Sequence, residues 1–404
     1  MNFVTTLPNL RAFFGTGAAL LAGVSLAHAS GTRIGFKDAF ATARGNAFVA
    51  TADNPSALYY NPAGIARLDG AQFSANLYEI SVASDYHGAA GNASMDDGYQ
   101  SVPAFYATWH PQGAPWSYGF GIYAPFGLKT EWPANSVLRN FALKNELKYV
   151  TYNFSGAWQI NPTLSIGGSI TYNRVSANLS QGLGFIAPGS DMLHVTGDGD
   201  CFGFNFGVLW QPTVEHSFGL SYSNRTSVNL KGTTDIVPLF TGESSSARFE
   251  FPEVIILGYS YRPTPQWNIE ANLDWTNWNR LNTVTVEKAS GNLPLKFDWD
   301  SGFFYELGVT RYLPGGWNVS GGLCYTENSS PDATYTPIVP DTNRLFYSLG
   351  VGYRSDRFSA DFAWHYGYSS DRHVTGSPVN LLGQTADGTY ANSVNAFSLS
   401  LALR

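Results

Sequence analysis

Phe358, Ala360, Phe362, Trp364, Tyr366 and Tyr368 alternate with Ser359, Asp361, Ala363, His365 and Gly367. Trp267, Ile269, Ala271, Leu273 and Trp275 alternate in the same way with Asn268, Glu270, Asn272, Asp274 and Thr276. From Val150, an apolar face of Tyr152, Phe154, Trp158 and Ile160 opposes Thr151, Asn153, Ser155 and Gln159. A period of two places successive side chains on opposite faces of a strand. The chain is therefore committed to strands with one apolar and one polar face. Alternation alone does not choose between a soluble sandwich and a barrel in lipid. Composition narrows the choice: 13% of residues are charged, 15% are aromatic and 42 are glycine. After Ala29 no run reaches the roughly 18 consecutive apolar residues of a membrane helix. Low charge and many aromatics and glycines, without helical spans, fit an antiparallel transmembrane β-barrel.

The turns favour the barrel. Short signals recur at 110–113, 161–163, 211–213, 262–265, 313–316 and 354–357, each flanked by alternating runs. Pro, Gly and Asp in such positions read as tight hairpins. Longer polar segments separate them at 82–100, 128–146, 179–199, 231–246, 279–295, 327–342 and 369–393. Six short turns and seven long loops make thirteen connections, hence about 14 strands. Short turns on one rim and long loops on the other are the asymmetry of an outer-membrane barrel. An even strand count returns the C-terminal strand, with Phe397, Leu399, Leu401 and Leu403 on one face, to the short-turn rim.

The first residues point to export. Arg11 precedes an apolar run over 12–26, which is followed by Ala27-His28-Ala29. Charged, apolar and small-residue regions in that order form a signal peptide, expected over 1–29. Residues 30–70 are small-residue-rich and contain Asn61-Pro62-Ala63 behind Tyr59-Tyr60. They read as a lumenal hatch ahead of a barrel over 71–404. The formal net charge of −7 argues against nucleic acid, which needs a basic footprint. Cys201 and Cys324 do not make a disulfide framework, and their pairing stays open.

The stretches 43–66 (ARGNAFVATADNPSALYYNPAGIA), 125–132 (PFGLKTEW), 147–170, 201–212, 218–232 and 251–269 resemble, in order, the FadL/TodX family of outer-membrane transporters. The resemblance covers essentially the whole mature chain. It implies a fourteen-stranded barrel with an N-terminal hatch, located in the outer membrane. It also implies passive transport of long-chain fatty acids or other hydrophobic compounds, by loop capture, lumenal binding, hatch gating and lateral exit. On that basis Asn61, Pro62 and Ala63 are the hatch motif. Pro125, Phe126 and Gly127 mark a kink in the third strand, because proline cannot donate to the ladder. Leu183, Phe185 and Ile186 in one loop, with Ile236, Val237, Leu239 and Phe240 in the next, are the expected capture groove. Arg174 is the expected partner of a substrate carboxylate. A second basic position of the family falls in 297–308, which is acidic here; a neutral hydrocarbon or aromatic substrate needs no such charge. The expected partners are a fatty acid or hydrocarbon ligand and outer-membrane lipid, with the protein a monomer.

Other classes have less support. The histidines are scattered and none sits in a nucleophile motif, so no catalytic residue is assigned. No His, Cys or carboxylate cluster shows metal-ligand spacing, and no cofactor is expected. A general porin would lack the hatch segment. A secreted β-sandwich adhesin would carry fewer outward aromatics. The chain ends Leu403-Arg404, without the terminal aromatic usual in such barrels.

Overall fold

The computed structural model describes residues 31–404 apart from Phe185 and Pro188. The expected signal peptide lies outside the described residues. Among the described residues, 14 strands close into one antiparallel barrel. They are β1 (Gly70–Gly88), β2 (Gln100–His110), β3 (Trp116–Glu131), β4 (Lys144–Asn161), β5 (Leu164–Gly182) and β6 (Met192–Trp210). Strand β7 runs in two pieces, His216–Ser223 and Thr226–Val237, and so does β8, Phe240–Phe251 and Val254–Thr264. The rest are β9 (Trp267–Thr276), β10 (Gly302–Tyr312), β11 (Trp317–Thr326), β12 (Arg344–Arg354), β13 (Phe358–Tyr368) and β14 (Gly388–Leu403). Pairing of β1 with β14, from Phe73 opposite Leu403 to His87 opposite Thr389, closes the ring. A closed ladder satisfies every interstrand backbone group, the condition for crossing lipid with strands.

The alternation is inverted relative to a soluble protein. Phe154, Ile170 and Phe202 stand outward at 59%, 66% and 70% exposure. Asn153 and Thr171, the chain neighbours of Phe154 and Ile170, are buried inward. The apolar face has no protein to cover it; its solvent is hydrocarbon. Trp109, Trp116, Trp158, Trp210 and Trp317 are exposed at the short-turn ends of their strands, as an interfacial girdle requires.

All six short turns join consecutive strands, β2–β3 through β12–β13. Five of the seven long loops are shorter than the polar segments implied, those after β9 and β11 excepted. Strands β5 and β6 pair as far as Gly182 opposite Met192, and β7 runs to Val237. In 226–237 the outward residues Asn229 and Lys231 are polar because the wall continues above the hydrocarbon, while Val228 and Leu230 are buried inward. Polarity there was a sign of water and not of irregular chain.

Residues 31–68 fold back inside the ring. They carry two short helices, α1 (Ala39–Ala43) and α2 (Ala57–Tyr60), and a 3₁₀ turn over Pro62–Arg67. Asp38 caps α1 by accepting from the Ala41 amide at 3.0 Å. Phe40, Phe48 and Tyr60 form the segment's own small core, with Phe48 and Tyr60 edge to face at 5.3 Å. Alanine or glycine at 13 of the 38 positions keeps this plug thin enough to lie within the ring.

Candidate functional site

The wall is incomplete between β2 and β3. Their ladder runs from Trp109 opposite Tyr118 to Phe105 opposite Ile122 and stops. On its other edge β3 stays paired with β4, through a bulge between Tyr123 and Phe126. The bulge holds Ala124 and Pro125; a proline has no N–H for the ladder, so the strand kinks there. The free edge is taken by the hatch. Ile34 N donates to Pro125 O at 2.9 Å, and Gly127 N donates to Thr32 O at 2.9 Å. Arg33 and Phe126 are thereby bridge partners. Phe126 turns inward onto Tyr149, Phe251 and Trp278, with ring centroids 5.3, 5.1 and 5.7 Å away.

The polar inner face of β9 and β10 anchors the rest of the hatch. Arg33 makes a bidentate contact to Asp274, at 2.7 and 2.6 Å, and a third bond to Thr276 at 2.8 Å. Arg44 reaches Glu270 at 3.2 Å and Asn268 at 2.9 Å. Asn46 donates to Glu306 at 2.6 Å. Asp53 lies 3.4 Å from Arg354 and 3.7 Å from Arg262. The Arg33 and Arg44 pairs are almost fully buried, where an unpaired charge is costly. Glu306 of the 297–308 region, and Glu270 and Asp274 of β9, are thus occupied by the hatch.

Asn61, Pro62 and Ala63 sit deep in the lumen against β5 and β6. Asn61 Nδ2 donates to Val49 O at 2.9 Å and to Val208 O at 3.0 Å. Its Oδ1 accepts from Ala63 N at 3.2 Å, capping the 3₁₀ turn that Pro62 begins. Gly167 and Gly207 make the seat: a Cβ on Gly167 would stand 2.4 Å from the Pro62 carbonyl carbon, and one on Gly207 2.2 Å from Asn61 Oδ1. Only glycine allows this approach. The motif is legible in the sequence; the seat, two wall glycines among 42, is not.

Two cavities adjoin the hatch. The inner one, about 410 Å³, is lined by Arg33, Ile34, Phe36, Phe126, Phe304 and Phe346 among others. It is also lined by inward Val102 and by Pro103, which is exposed on the outer face, so it reaches through the gap in the wall. The outer one, about 340 Å³, is apolar, with Leu230, Phe249, Val284 and Leu295 in its walls and Pro378 and Val379 at its rim. Thr32, Leu128, Leu147 and Val339 line both.

The sequence-selected residues fall out as follows. Pro125, Phe126 and Gly127 lie at the kink, and Asn61, Pro62 and Ala63 in the plug. Leu183 and Ile186 are half-buried in the β5–β6 loop, and Phe185 lies outside the described residues. Ile236 and Val237 are strand residues of β7, opposite Leu193 and Met192 on β6. Leu239, 64% exposed, and Phe240 flank the tight β7–β8 connection. None of these lines the outer cavity. Arg174 is corrected: between buried Asn173 and Val175 it faces outward and is exposed, so it cannot meet a lumenal carboxylate. Cys201 and Cys324 are both free. Among the described residues no group of three or more His, Cys, Asp or Glu is placed to hold a metal.

Comparison with known proteins places this geometry. A family model described as "Outer membrane protein transport protein (OMPP1/FadL/TodX)" matches residues 14–404. The chain is 26% identical over 354 residues to the long-chain fatty acid transport protein of Escherichia coli O6:H1, spanning 75% of this chain and 78% of that one. It is 23% identical over 416 residues to outer membrane protein P1 of Haemophilus influenzae, spanning 87% and 90%. Among solved structures, a Pseudomonas aeruginosa FadL homologue superposes with TM-score 0.85 at 20% identity, covering 93% of this chain and 99% of that one. The Pseudomonas putida toluene transporter TodX gives 0.75 at 17% identity, covering 93% and 100%.

Proposed function

Because the chain belongs to the outer membrane transport family OMPP1/FadL/TodX, and is an outer-membrane β-barrel, we propose that it carries hydrophobic compounds passively across the outer membrane and releases them sideways through the β2–β3 gap. Relatives are named for long-chain fatty acids and for toluene; the substrate here is of that kind. The observation that carries the reading is the inner cavity with one end in the lumen and the other at the wall gap.

A hydrophobic solute cannot use a water-filled porin, and the polar outer leaflet resists it. The outer cavity offers apolar walls for capture, and its size falls within the range of ligand sites. The shared wall of Thr32, Leu128, Leu147 and Val339 is the passage between the two cavities. The segment 32–34 is the last barrier, since it fills the place on β3 that β2 leaves empty. Release of that segment, with the Asn61-Pro62-Ala63 seat as the fixed end, opens the path. The equilibrium is shifted only so far as ligand binds the open state more tightly. No bond is made or broken, and we read the protein as a transporter without a catalytic step. A pore for polar solutes is the weaker reading, because residues 31–68 occupy the lumen.

The test is uptake of labelled oleate and of toluene by cells lacking their own transporters, with this chain at matched surface levels. A Val102→Trp variant, filling the gap from β2, should abolish uptake in a folded barrel. Undiminished uptake through that variant would rule out the sideways route.

A further inference from the structure

The outside of the barrel is not uniform around its circumference. On β4 the exposed Trp158 belongs to the short-turn girdle, and Lys148 lies ten residues further up the same outward face. At about 3.3 Å per residue and a tilt of about 40°, the two are about 25 Å apart in height, the full apolar band of such a barrel. An aromatic row marks the upper edge of that band: Tyr152, Tyr172 and Phe202 on β4, β5 and β6, with successive ring centroids 6.1 and 5.4 Å apart. Above this row the outward side chains become charged. Lys129, Lys148, Arg174, Lys231 and Arg248 are exposed on the outer face of β3, β4, β5, β7 and β8. Among the described residues, the extracellular halves of β9–β14, β1 and β2 turn no lysine or arginine outward.

Two of these residues stand together. Across the β4–β5 ladder Val150 faces Arg174 and Lys148 faces Ser176, so Lys148 and Arg174 are diagonal neighbours, with Cα atoms about 7–8 Å apart. The acids around them do not use them up. Lys148 meets Glu146 at 2.9 Å, but both side chains are in solvent, where such a pair contributes little. Asp200 is opposite Arg174 on β6, yet among the described residues no ion pair or hydrogen bond to the Arg174 side chain occurs.

A guanidinium on the lipid side of the wall needs a partner that hydrocarbon cannot supply. At this height the outer leaflet presents phosphates on sugar head groups, and a guanidinium fork beside an ammonium matches the oxygens of a phosphate. We propose that Arg174 and Lys148 form a binding site, on the outside of the wall, for a phosphate of the outer-leaflet glycolipid, lipopolysaccharide. Its acyl chains lie below, along the exposed Phe154 and Ile170. Its sugars continue upward, where an open groove of about 600 Å³ presents Lys144, Asn178 and His194. Lys148 also borders the inner cavity where that cavity opens outward, so the bound glycolipid flanks the gap between β2 and β3.

The experiment titrates lipid A into the detergent-purified full chain, stripped of bound lipid, and reads bound glycolipid by native mass spectrometry. Lipid A with its phosphates removed is the comparison. Wild type should prefer lipid A at least tenfold over the dephosphorylated form. Arg174→Gln/Lys148→Gln should lose about 25-fold in affinity for lipid A, since each basic side chain near an anionic lipid surface contributes about fivefold. Its affinity for the dephosphorylated form should not change. Arg311→Gln, which removes an arginine packed on Trp267 at the periplasmic end of β10, should bind lipid A as wild type does. Heat-modifiability on gels establishes that each variant is a folded barrel. If the double variant does not fold, Arg174→Gln alone decides, with a loss of about fivefold expected. Equal affinity of wild type for the two lipids, or binding of neither, overturns the proposal. A folded double variant that binds lipid A like wild type overturns it too, and so does an equal loss in Arg311→Gln, because net charge and not this site would then set the affinity.

Discussion

Breaking the Arg33–Asp274 pair should open the wall without unfolding it. Asp274→Leu leaves the Arg33 guanidinium buried without its carboxylate, its side chain being 3% exposed in the wild type. Removing one member of a buried pair costs about 3–5 kcal/mol. Bidentate bonds at 2.7 and 2.6 Å favour the upper half of that range. The strain falls on residues 32–34, whose hold on β3 is two backbone bonds worth about 0.5–1.5 kcal/mol each. At a factor of ten per 1.4 kcal/mol, the segment should detach roughly a hundredfold more often or beyond. The ring itself is held by its closed ladder, so heat-modifiability should not change. Amide hydrogen exchange reads this directly at Ile34 and Gly127, whose N–H groups make the two bonds. Both should exchange at least tenfold faster in Asp274→Leu, while amides of the β5–β6 ladder stay slow. The double variant Arg33→Met/Asp274→Leu should recover most of the protection, because two apolar side chains need no partner. If Asp274→Leu protects Ile34 and Gly127 as well as wild type does, the pair is not what holds the segment and the reasoning is wrong.

Asn61→Ala, which removes the bonds to Val49 O and Val208 O, should leave a folded barrel but alter uptake at matched surface levels; unchanged rates would make the motif a mere connector. Gly207→Leu should act on the same seat more severely, since even a Cβ there would stand 2.2 Å from Asn61 Oδ1; uptake and proteolysis of the hatch are the readouts. In the loop that rims the outer cavity, Asp387 accepts from Ser377 Oγ, Ser377 N and Gly376 N at 2.6, 2.8 and 3.1 Å. These bonds, the Ser377 hydroxyl foremost, hold its carboxyl below the usual value. A depressed folded value means the tie is complete above the ordinary carboxylate value of about 3.9 and is lost as pH falls through the lower one. Protease cleavage of 375–387 should therefore rise only in strong acid, and Asp387→Asn should raise it at neutral pH; a variant cleaved like wild type would contradict this.

Strand number, closure and orientation were legible because lipid imposes a rule that the sequence must obey on every strand. Trp267 to Thr276 shows it in ten residues: apolar out, polar in. The kink was legible because proline has a single physical consequence in a ladder. What occupies the free edge was not legible, since residues 32–34 pair through backbone and carry no pattern of their own. Arg33, Arg44 and Asn46 could have been found by asking why a small-residue plug holds charges opposite a wall face of Glu270, Asp274 and Glu306. Arg174 misled because a basic residue on a strand says nothing of its face until the register is counted. Counting from Thr171 and Asn173 puts it outward. Ile236 and Val237 read as loop residues because they lie on a polar segment, but they are strand residues above the membrane.

The most direct test of the lateral gate is a reversible lock at the bridge between Arg33 and Phe126. These are non-hydrogen-bonded antiparallel partners, with Cα atoms about 4.5 Å apart, within disulfide reach. In a Cys201→Ser/Cys324→Ala background, Arg33→Cys/Phe126→Cys should form that bond on oxidation. Uptake of labelled oleate or toluene by cells carrying the oxidised variant should fall to the level of cells without the protein, and reduction should restore it. Equal uptake in the oxidised and reduced states, with the disulfide verified by mass spectrometry, would contradict a path that passes between β2 and β3.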